Sequence, residues 1–591
     1  MNLRSFGRVG RLAAIGAILL FSASCIKVNE QLGQNLIPTD QKWDVFPQEA
    51  QPLKDIRLQM ADSLSGYSST RFTFGAVTDD LMGTTIKSTS FTLVPVQDSL
   101  DFGTNTEITG FHFTAARDTL STVFDNQQRV IQNVYVYELK EALDSTVLYS
   151  GAFDKDKYVN TASVITEGIP VYDGGDSLSF EFSKEFAESI MERLKKADMD
   201  SLALYVEDIP GIYITTDTPA GEGGRINMFD LPLEFDDFGY MSGNYAELKI
   251  TADYEDRKQV DTSFIFIFGP SSLIAEDAST SEIPTQYAFN ASEHATTSLY
   301  DEAVKAGEEG LSAAEKIIVE GGSGLKPVIL AKEIKEKLHK MIDDAKITNS
   351  KEVVINKATI TLPYNVNADW SKLDKYPVIL SPTVRLRSSG DTKYVSYAGL
   401  TDSSIESENQ GNINRSLSQY APDISHHVQE ILKLEKKADE TAAEFEERLA
   451  SYDIWMLIMS EEVTSSSSSS SASSDYYNNL LYNSYYNNMM YDPYGYGYGY
   501  GGYGGYYGGY GYGGYGGYGG YDYSSNYYNY MMMAMYANAS TSTGSSDSVS
   551  IELDKDRYFD ATLNGTQSSA DIKALPRLSV TFAAPKTAEA K

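Results

Sequence analysis

Cys25 is the only cysteine among 591 residues, so no disulfide can staple the chain from within and no second thiol is left for catalysis. Histidine is scarce as well: His112, His294, His339, His426 and His427 are the whole set. None of them falls into the two-histidine, one-acid helical pattern of a zinc enzyme. His426 and His427 are neighbours whose side chains would diverge by about 100° on a helix, so they read as a polar helix flank rather than a chelating pair. Positive charge is in deficit, 48 Lys and Arg against 82 Asp and Glu, a net charge of −34. Phosphate backbones are held by Lys and Arg, so a nucleic-acid partner is excluded as an expectation. No cofactor or metal site is expected either. Beyond the first two dozen residues no run is apolar for the roughly 20 residues that a transmembrane helix requires.

What is there begins at the N-terminus. Arg4, Arg8 and Arg11 precede an uncharged stretch, Leu12 to Ala23, which closes on Ala23-Ser24-Cys25. A basic head, a short apolar segment and a small-residue end make a secretory signal. The ending is similar to the lipobox of bacterial lipoproteins, with Ser22 where leucine is usual, and implies that Cys25 becomes the lipidated first residue. Removing residues 1–24 leaves 567 residues and takes the net charge from −34 to −37. The expected location is the outer membrane, reached through this lipid anchor, on either its surface or its periplasmic face.

Residues 25–58 lack a sustained period and read as a membrane tether. Strand signals follow, each alternating apolar and polar residues or rich in β-branched and aromatic types. They include Arg71-Phe-Thr-Phe-Gly, Ile108-Thr-Gly-Phe-His-Phe, Val134-Tyr-Val-Tyr, Leu178-Ser-Phe-Glu-Phe, Leu202-Ala-Leu-Tyr-Val and Leu248-Lys-Ile-Thr-Ala. A second run holds Lys316-Ile-Ile-Val, Val353 to Leu362, Thr383-Val-Arg-Leu-Arg, Ile454 to Met459 and Leu578-Ser-Val-Thr-Phe. The expected fold is mainly β: two tandem β-sandwich-like domains, 59–268 and 269–585, with short covering helices. One helix is capped by Ser183 and repeats Phe186, Ile190 and Leu194. Another, from about Lys332, sets Ile334, Leu338 and Met341 on one side.

Residues 463–548 form a low-complexity insertion of serine, then Tyr, Asn and Met, then Tyr and Gly. It has no aliphatic periodicity with which to build a core and reads as a long disordered loop. Val549, Ile551 and Leu553 then alternate with polar residues, so a hairpin interrupted at Met459 is expected to resume there. Lengthening the loop to this extent costs only roughly 2–3 kcal/mol of closure entropy. Flat tyrosine rings on a glycine-flexible chain could contact glycans weakly and repeatedly; a repeat expanded by slippage and tolerated as a loop is the simpler account.

Leu32-Gly-Gln-Asn-Leu-Ile-Pro, Val134-Tyr-Val-Tyr-Glu-Leu, Lys316-Ile-Ile-Val-Glu-Gly-Gly-Ser-Gly-Leu-Lys, Ile355-Asn-Lys-Ala-Thr-Ile and Leu575-Pro-Arg-Leu-Ser-Val-Thr-Phe together resemble a Bacteroidota lipoprotein family named domain of unknown function 4270. The resemblance implies an envelope location and a β body and carries no activity. Surface display in that phylum uses acids just after the cysteine, and only Glu30 is present here. O-glycosylation there takes Asp, then Ser or Thr, then an apolar residue. The matching hydroxyls are Ser63, Ser99, Thr119, Ser177, Ser201 and Ser548; the same dipeptide also marks turns and strand entries.

Gly321-Gly-Ser-Gly-Leu-Lys lacks the Gly-Lys-Ser/Thr ending of a phosphate loop and reads as a β-turn. Asp154-Lys-Asp156-Lys-Tyr158 and Asp554-Lys-Asp556-Arg-Tyr558 are near-copies and read as solvated turns, each with too few oxygens for calcium. With Asp236-Asp237 and Asp343-Asp344 they are the paired acids, and no pair can be singled out for glycosidase work from sequence. A non-enzymatic binding or scaffolding role for another envelope component is the leading expectation. A glycan-capture module is the alternative, and a glycoside hydrolase is the third choice.

Overall fold

The computed structural model describes residues 43–464 and 548–585 apart from short internal stretches, the longest of which is 119–129. It is mainly β, 46% strand against 20% helix, with its sheets antiparallel. Two bodies share the chain.

The first body packs an eight-stranded sheet on a five-stranded one. In the larger sheet Gly83–Phe91 is central, pairing with Arg71–Asp79, Ile212–Thr215 and Ala288–Ala295. The smaller runs Ser177–Glu181, Thr104–Ala116, Tyr245–Tyr254, Arg257–Phe268 and Leu93–Pro95. The alternating residues read from the sequence supply its core, which is unusually aromatic. Phe113 lies parallel to Phe180 at 4.5 Å and to Phe268 at 5.0 Å, and Phe268 in turn meets Phe91 at 4.7 Å. Each such pair adds about 0.5–1.5 kcal/mol beyond its buried area. Helix Lys184–Leu194 covers one end, with the Ser183 hydroxyl accepting from Phe186 N and Phe186, Ile190 and Leu194 buried, as its spacing predicts.

The second body holds a seven-stranded sheet around Leu325–Ile329, Ile454–Thr464 and Ile379–Arg387, and a six-stranded one around Arg577–Pro585 and Val354–Pro363. Helix Ala331–Asp344 buries Ile334, Leu338 and Met341 against this core.

Three expectations need correction. Residues 25–58 are not tether throughout: Trp43–Pro47 pairs with Arg577–Pro585, and Ile56–Met60 pairs with Leu325–Ile329. Both strands complete sheets of the second body, and only long-range pairing, invisible to local pattern, reveals them. The boundary at 268/269 falls inside the first body, because Ala288–Ala295 is hydrogen-bonded to Gly83–Phe91. Leu202–Asp208 is a helix, not a strand. The Ser201 hydroxyl accepts from Leu204 N to start it, and buried Tyr205 donates to Leu93 O at 2.7 Å to fix it.

Across the insertion the pairing is continuous. Met459 faces Leu553, and the register runs without a slip to Thr464 opposite Ser548. Residues 465–547 lie outside the described residues. Because the ladder closes on both sides of them, replacing 465–547 by a short Asn-Gly turn is expected to leave the urea midpoint unchanged or slightly raised. A deletion product that lacks a cooperative transition would show that the hairpin depends on the tract.

Candidate functional site

The two near-copied motifs share one local hydrogen bond and have opposite environments; Lys155–Tyr158 is a single helical turn, whereas 554–558 is a non-helical bend. In each, the first aspartate accepts from the backbone N–H three residues on: Asp154 from Lys157 N at 3.1 Å, and Asp554 from Arg557 N at 2.9 Å. Successive residues of a strand face opposite ways, and the two motifs bracket the same pair of strands, Gly83–Phe91 and Ala288–Ala295, from its two sides.

On one side lies a cleft of about 290 Å³ lined by Phe153, Asp154, Lys155, Asp156, Tyr213 and Glu293, with Ser88, Ala291 and Ser292 at its base. Its ring system is layered. Phe153 stacks on Tyr213 at 5.6 Å and on Tyr158 at 5.6 Å, and the Lys155 ammonium sits 5.9 Å from the Tyr213 ring. Asp154, Asp156 and Lys157 remain in solvent here. An aromatic wall with carboxylate and ammonium groups at its rim can hold a small polar ligand through hydroxyl contacts and ring stacking.

On the other side the solvated-turn expectation fails for the second copy. Asp554, Asp556 and Arg557 are buried at the junction of the two bodies. Asp556 accepts from Ser68 Oγ at 3.0 Å and Asn290 Nδ2 at 2.9 Å, with Arg71 Nη1 at 3.7 Å; Arg71 also pairs with Asp118 at 2.9 Å. Lys555 Nζ donates to Tyr67 O at 2.5 Å. Arg557 pairs with Asp554 at 2.8 Å, and Ser460 donates to the same carboxylate at 2.5 Å. The motif thus joins the second body to three segments of the first.

Glu320, fully buried, is the partner centre. Its carboxylate accepts from Thr85 Oγ1 at 2.8 Å, from Tyr300 OH and from Leu325 N, with His294 Nδ1 at 3.7 Å. The turn after it confirms the β-turn and explains its glycines. A side chain at Gly324 would strike the Glu320 carboxylate, and one at Gly322, whose φ is +58°, would strike Lys87 Nζ. Lys326, also buried, donates to the carbonyls of Glu320, Gly322 and Gly324, clamping its own turn.

Burial pushes Lys326 down to about 7 against the attraction of Glu320. Burial likewise lowers Lys87, against Asp556, Glu320 and Asp554, and lowers Lys555 and His294. For Asp554 burial acts upward, but the Arg557 charge and the bonds from Ser460 and Arg557 outweigh it and hold the carboxyl below its usual range. These charges are consumed in joining the two bodies.

The other predicted residues are dispersed. Cys25, Ser63, Ser99 and Thr119, the Asp236-Asp237 pair and the tyrosine tract lie outside the described residues. Ser177 is exposed on an edge strand opposite Ala116. Ser201 is half-buried and caps a helix, and Ser548 opens the strand that resumes after the insertion. His112 bonds Glu181 at 2.8 Å and Ser179 at 2.9 Å on a sheet face. His427 is no polar flank: it is buried, pushed down to about 4 by burial, and its Nε2 lies 2.8 Å from Tyr452 O. The Asp402 carboxylate instead accepts from the backbone N–H groups of His426 and His427, at 2.6 and 3.1 Å. Among the described residues no group of three or more His, Cys, Asp or Glu is placed to hold a metal ion. No protein-family model, curated protein or solved structure matches the chain.

Proposed function

We propose that this chain is a lipid-anchored envelope lipoprotein that binds or scaffolds another envelope component without catalysing a reaction, in keeping with its resemblance to the lipoprotein family of unknown function. The observation that carries the proposal is the leader that ends on the only cysteine, Ala23-Ser24-Cys25. A β platform whose two bodies are cross-linked by buried charges supports it, because a rigid body on a tether is suited to presenting surfaces to a partner. The cleft beside Phe153 favours glycan capture as the second version of this role, since stacked rings and carboxylates together suit a sugar.

In native membranes, Cys25→Ala is expected to abolish fatty-acid labelling and to move the protein to the soluble fraction. Retained labelling and membrane attachment would refute the anchor. Mild crosslinking followed by purification is expected to recover one envelope protein in constant ratio. If none is recovered and a glycan array binds the protein in a manner lost in Asp156→Ala, glycan capture replaces scaffolding.

A further inference from the structure

We propose that the outward face of the sheet formed by Trp43–Pro47, Arg577–Pro585 and Val354–Pro363 lies against the lipid bilayer, an inference that rests on the anchor at Cys25. The register places Val45 beside Ala583 and Ala583 beside Val354, so one row of three strands is apolar on the same side; Trp43, opposite Pro585, extends it. Of the alternate residues, Phe46 stacks on Phe582 and Ile355, Leu578 and Val580 lie in the core, whereas Asp44, opposite Ala584, is exposed. In the outward set Trp43 is 49% exposed, Val45 58% and Val354 46%, on either side of Ala583, which is 7% exposed. Single exposed apolar residues need no account. Three grouped on two strands about one alanine form a patch, and apolar patches mark contact surfaces.

Charge on this face departs from that of the chain. With a net charge of −34 overall, the outward positions of the three strands, which continue through Pro47, Thr581, Lys357, Ser579, Thr359 and Arg577, hold no Asp or Glu. Lys357 is exposed at the margin of the apolar row. A protein this acidic is repelled by an anionic lipid surface wherever carboxylates face it; none of these outward strand positions carries one, although Asp44 is exposed on the alternate register of Trp43–Pro47 and Asp571 acts on Arg577. Tryptophan prefers the headgroup level of a bilayer, and a lysine at the edge of an apolar patch can keep its stem in the apolar layer and its ammonium in water.

Position selects lipid over other occupants. Trp43 follows Cys25 by 18 residues, so whatever path the intervening chain takes, the patch stays within roughly 60 Å of the anchored cysteine. Anchoring makes the bilayer a partner at high effective concentration, so a small apolar area suffices for contact.

The test uses the full lipidated chain in vesicles of phosphatidylethanolamine with a minority of phosphatidylglycerol. Because lipidation consumes the Cys25 thiol, Val45→Cys and Val354→Cys each introduce one reactive site for a nitroxide label. Lys258→Cys, exposed in the first body, serves as the reference. The expected result is a several-fold gain in collision with oxygen over collision with a water-soluble nickel complex at positions 45 and 354, relative to position 258. Equal values at all three positions would overturn the proposal, as would shielding that grows with protein concentration in vesicle-free detergent, which would assign the face to a second copy. Failure of the protein to float with the vesicles would refute the anchor itself and this proposal with it.

Discussion

Replacing Glu320 by alanine is expected to lower the unfolding free energy by about 3–5 kcal/mol, the range for removing one partner from a buried charged network. The carboxylate is wholly buried and accepts from Thr85, Tyr300 and Leu325. Its charge also attracts Lys326 and Lys87. Alanine would take the acceptor from these donors and the nearest counter-charge from Lys326. Glutamine keeps the shape and one acceptor oxygen and removes the charge, so Glu320→Gln is expected to fall between wild type and alanine. Urea unfolding of the chain from residue 26 onward, followed at both far-UV and near-UV wavelengths, measures this. An alanine variant within 1 kcal/mol of wild type would show that the network is neutral in stability. Loss of coincidence between the two probes in the variant would show that Glu320 couples the unfolding of the two bodies.

Much of the β architecture was legible in the sequence because each strand carries its own signal. Leu178-Ser-Phe-Glu-Phe alternates, and its strand buries Leu178 and Phe180 and exposes Ser179. Val549, Ile551 and Leu553 marked the return of a hairpin across an insertion of more than eighty residues, and the pairing to Met459 bears that out. What was not legible depends on which edges meet. Trp43–Pro47 and Ile56–Met60 are short and end-on to an irregular segment, and become strands only because a distant partner offers an edge. Leu202-Ala-Leu-Tyr-Val is a short apolar run that suits a buried strand as well as a helix, yet one hydroxyl cap and one tyrosine hydrogen bond decide for helix. The same limit hid the junction. Asp554-Lys-Asp-Arg-Tyr and Asp154-Lys-Asp-Lys-Tyr are nearly identical and share the bond from the third following N–H to the first aspartate, so composition could not say that one is in solvent and the other between two bodies. One clue was present: Gly321-Gly-Ser-Gly is too rich in glycine for an ordinary turn, and the excess answers to the Glu320 carboxylate and Lys87 ammonium that occupy the space of its missing side chains.

Stability is expected to rise with pH between about 7 and 10, and Lys326→Met is expected to remove much of that rise. An unfolded lysine titrates near 10.4, whereas burial brings Lys326 in the folded chain down to about 7. Between those values the unfolded state binds the extra proton, so acid favours unfolding: the stability gain from this group is complete only above the unfolded value, shrinks as pH falls between the two, and is gone below the folded one. Lys87 and Lys555 are lowered by burial and act with the same sign. Asp554, held below the ordinary carboxyl value, contributes stability above that value and loses it in acid, so both kinds of group place the optimum on the alkaline side of neutral. For Lys326 alone the swing is at most about 5 kcal/mol, and the three carbonyls that receive its N–H groups favour the ammonium and pull the figure down. Methionine fills the same space without titrating and leaves those carbonyls without this donor, a cost of about 1–3 kcal/mol for each one left unsatisfied, independent of pH. The gap between wild type and variant should therefore be narrowest at pH 6 and widest at pH 10, while surface titrations common to both chains cancel. Urea midpoints of the two proteins at pH 6, 8 and 10 measure it; a gap that stays constant would mean that Lys326 holds its proton equally in the folded and unfolded chains, and that its role is the clamp on the Gly321–Gly324 turn alone.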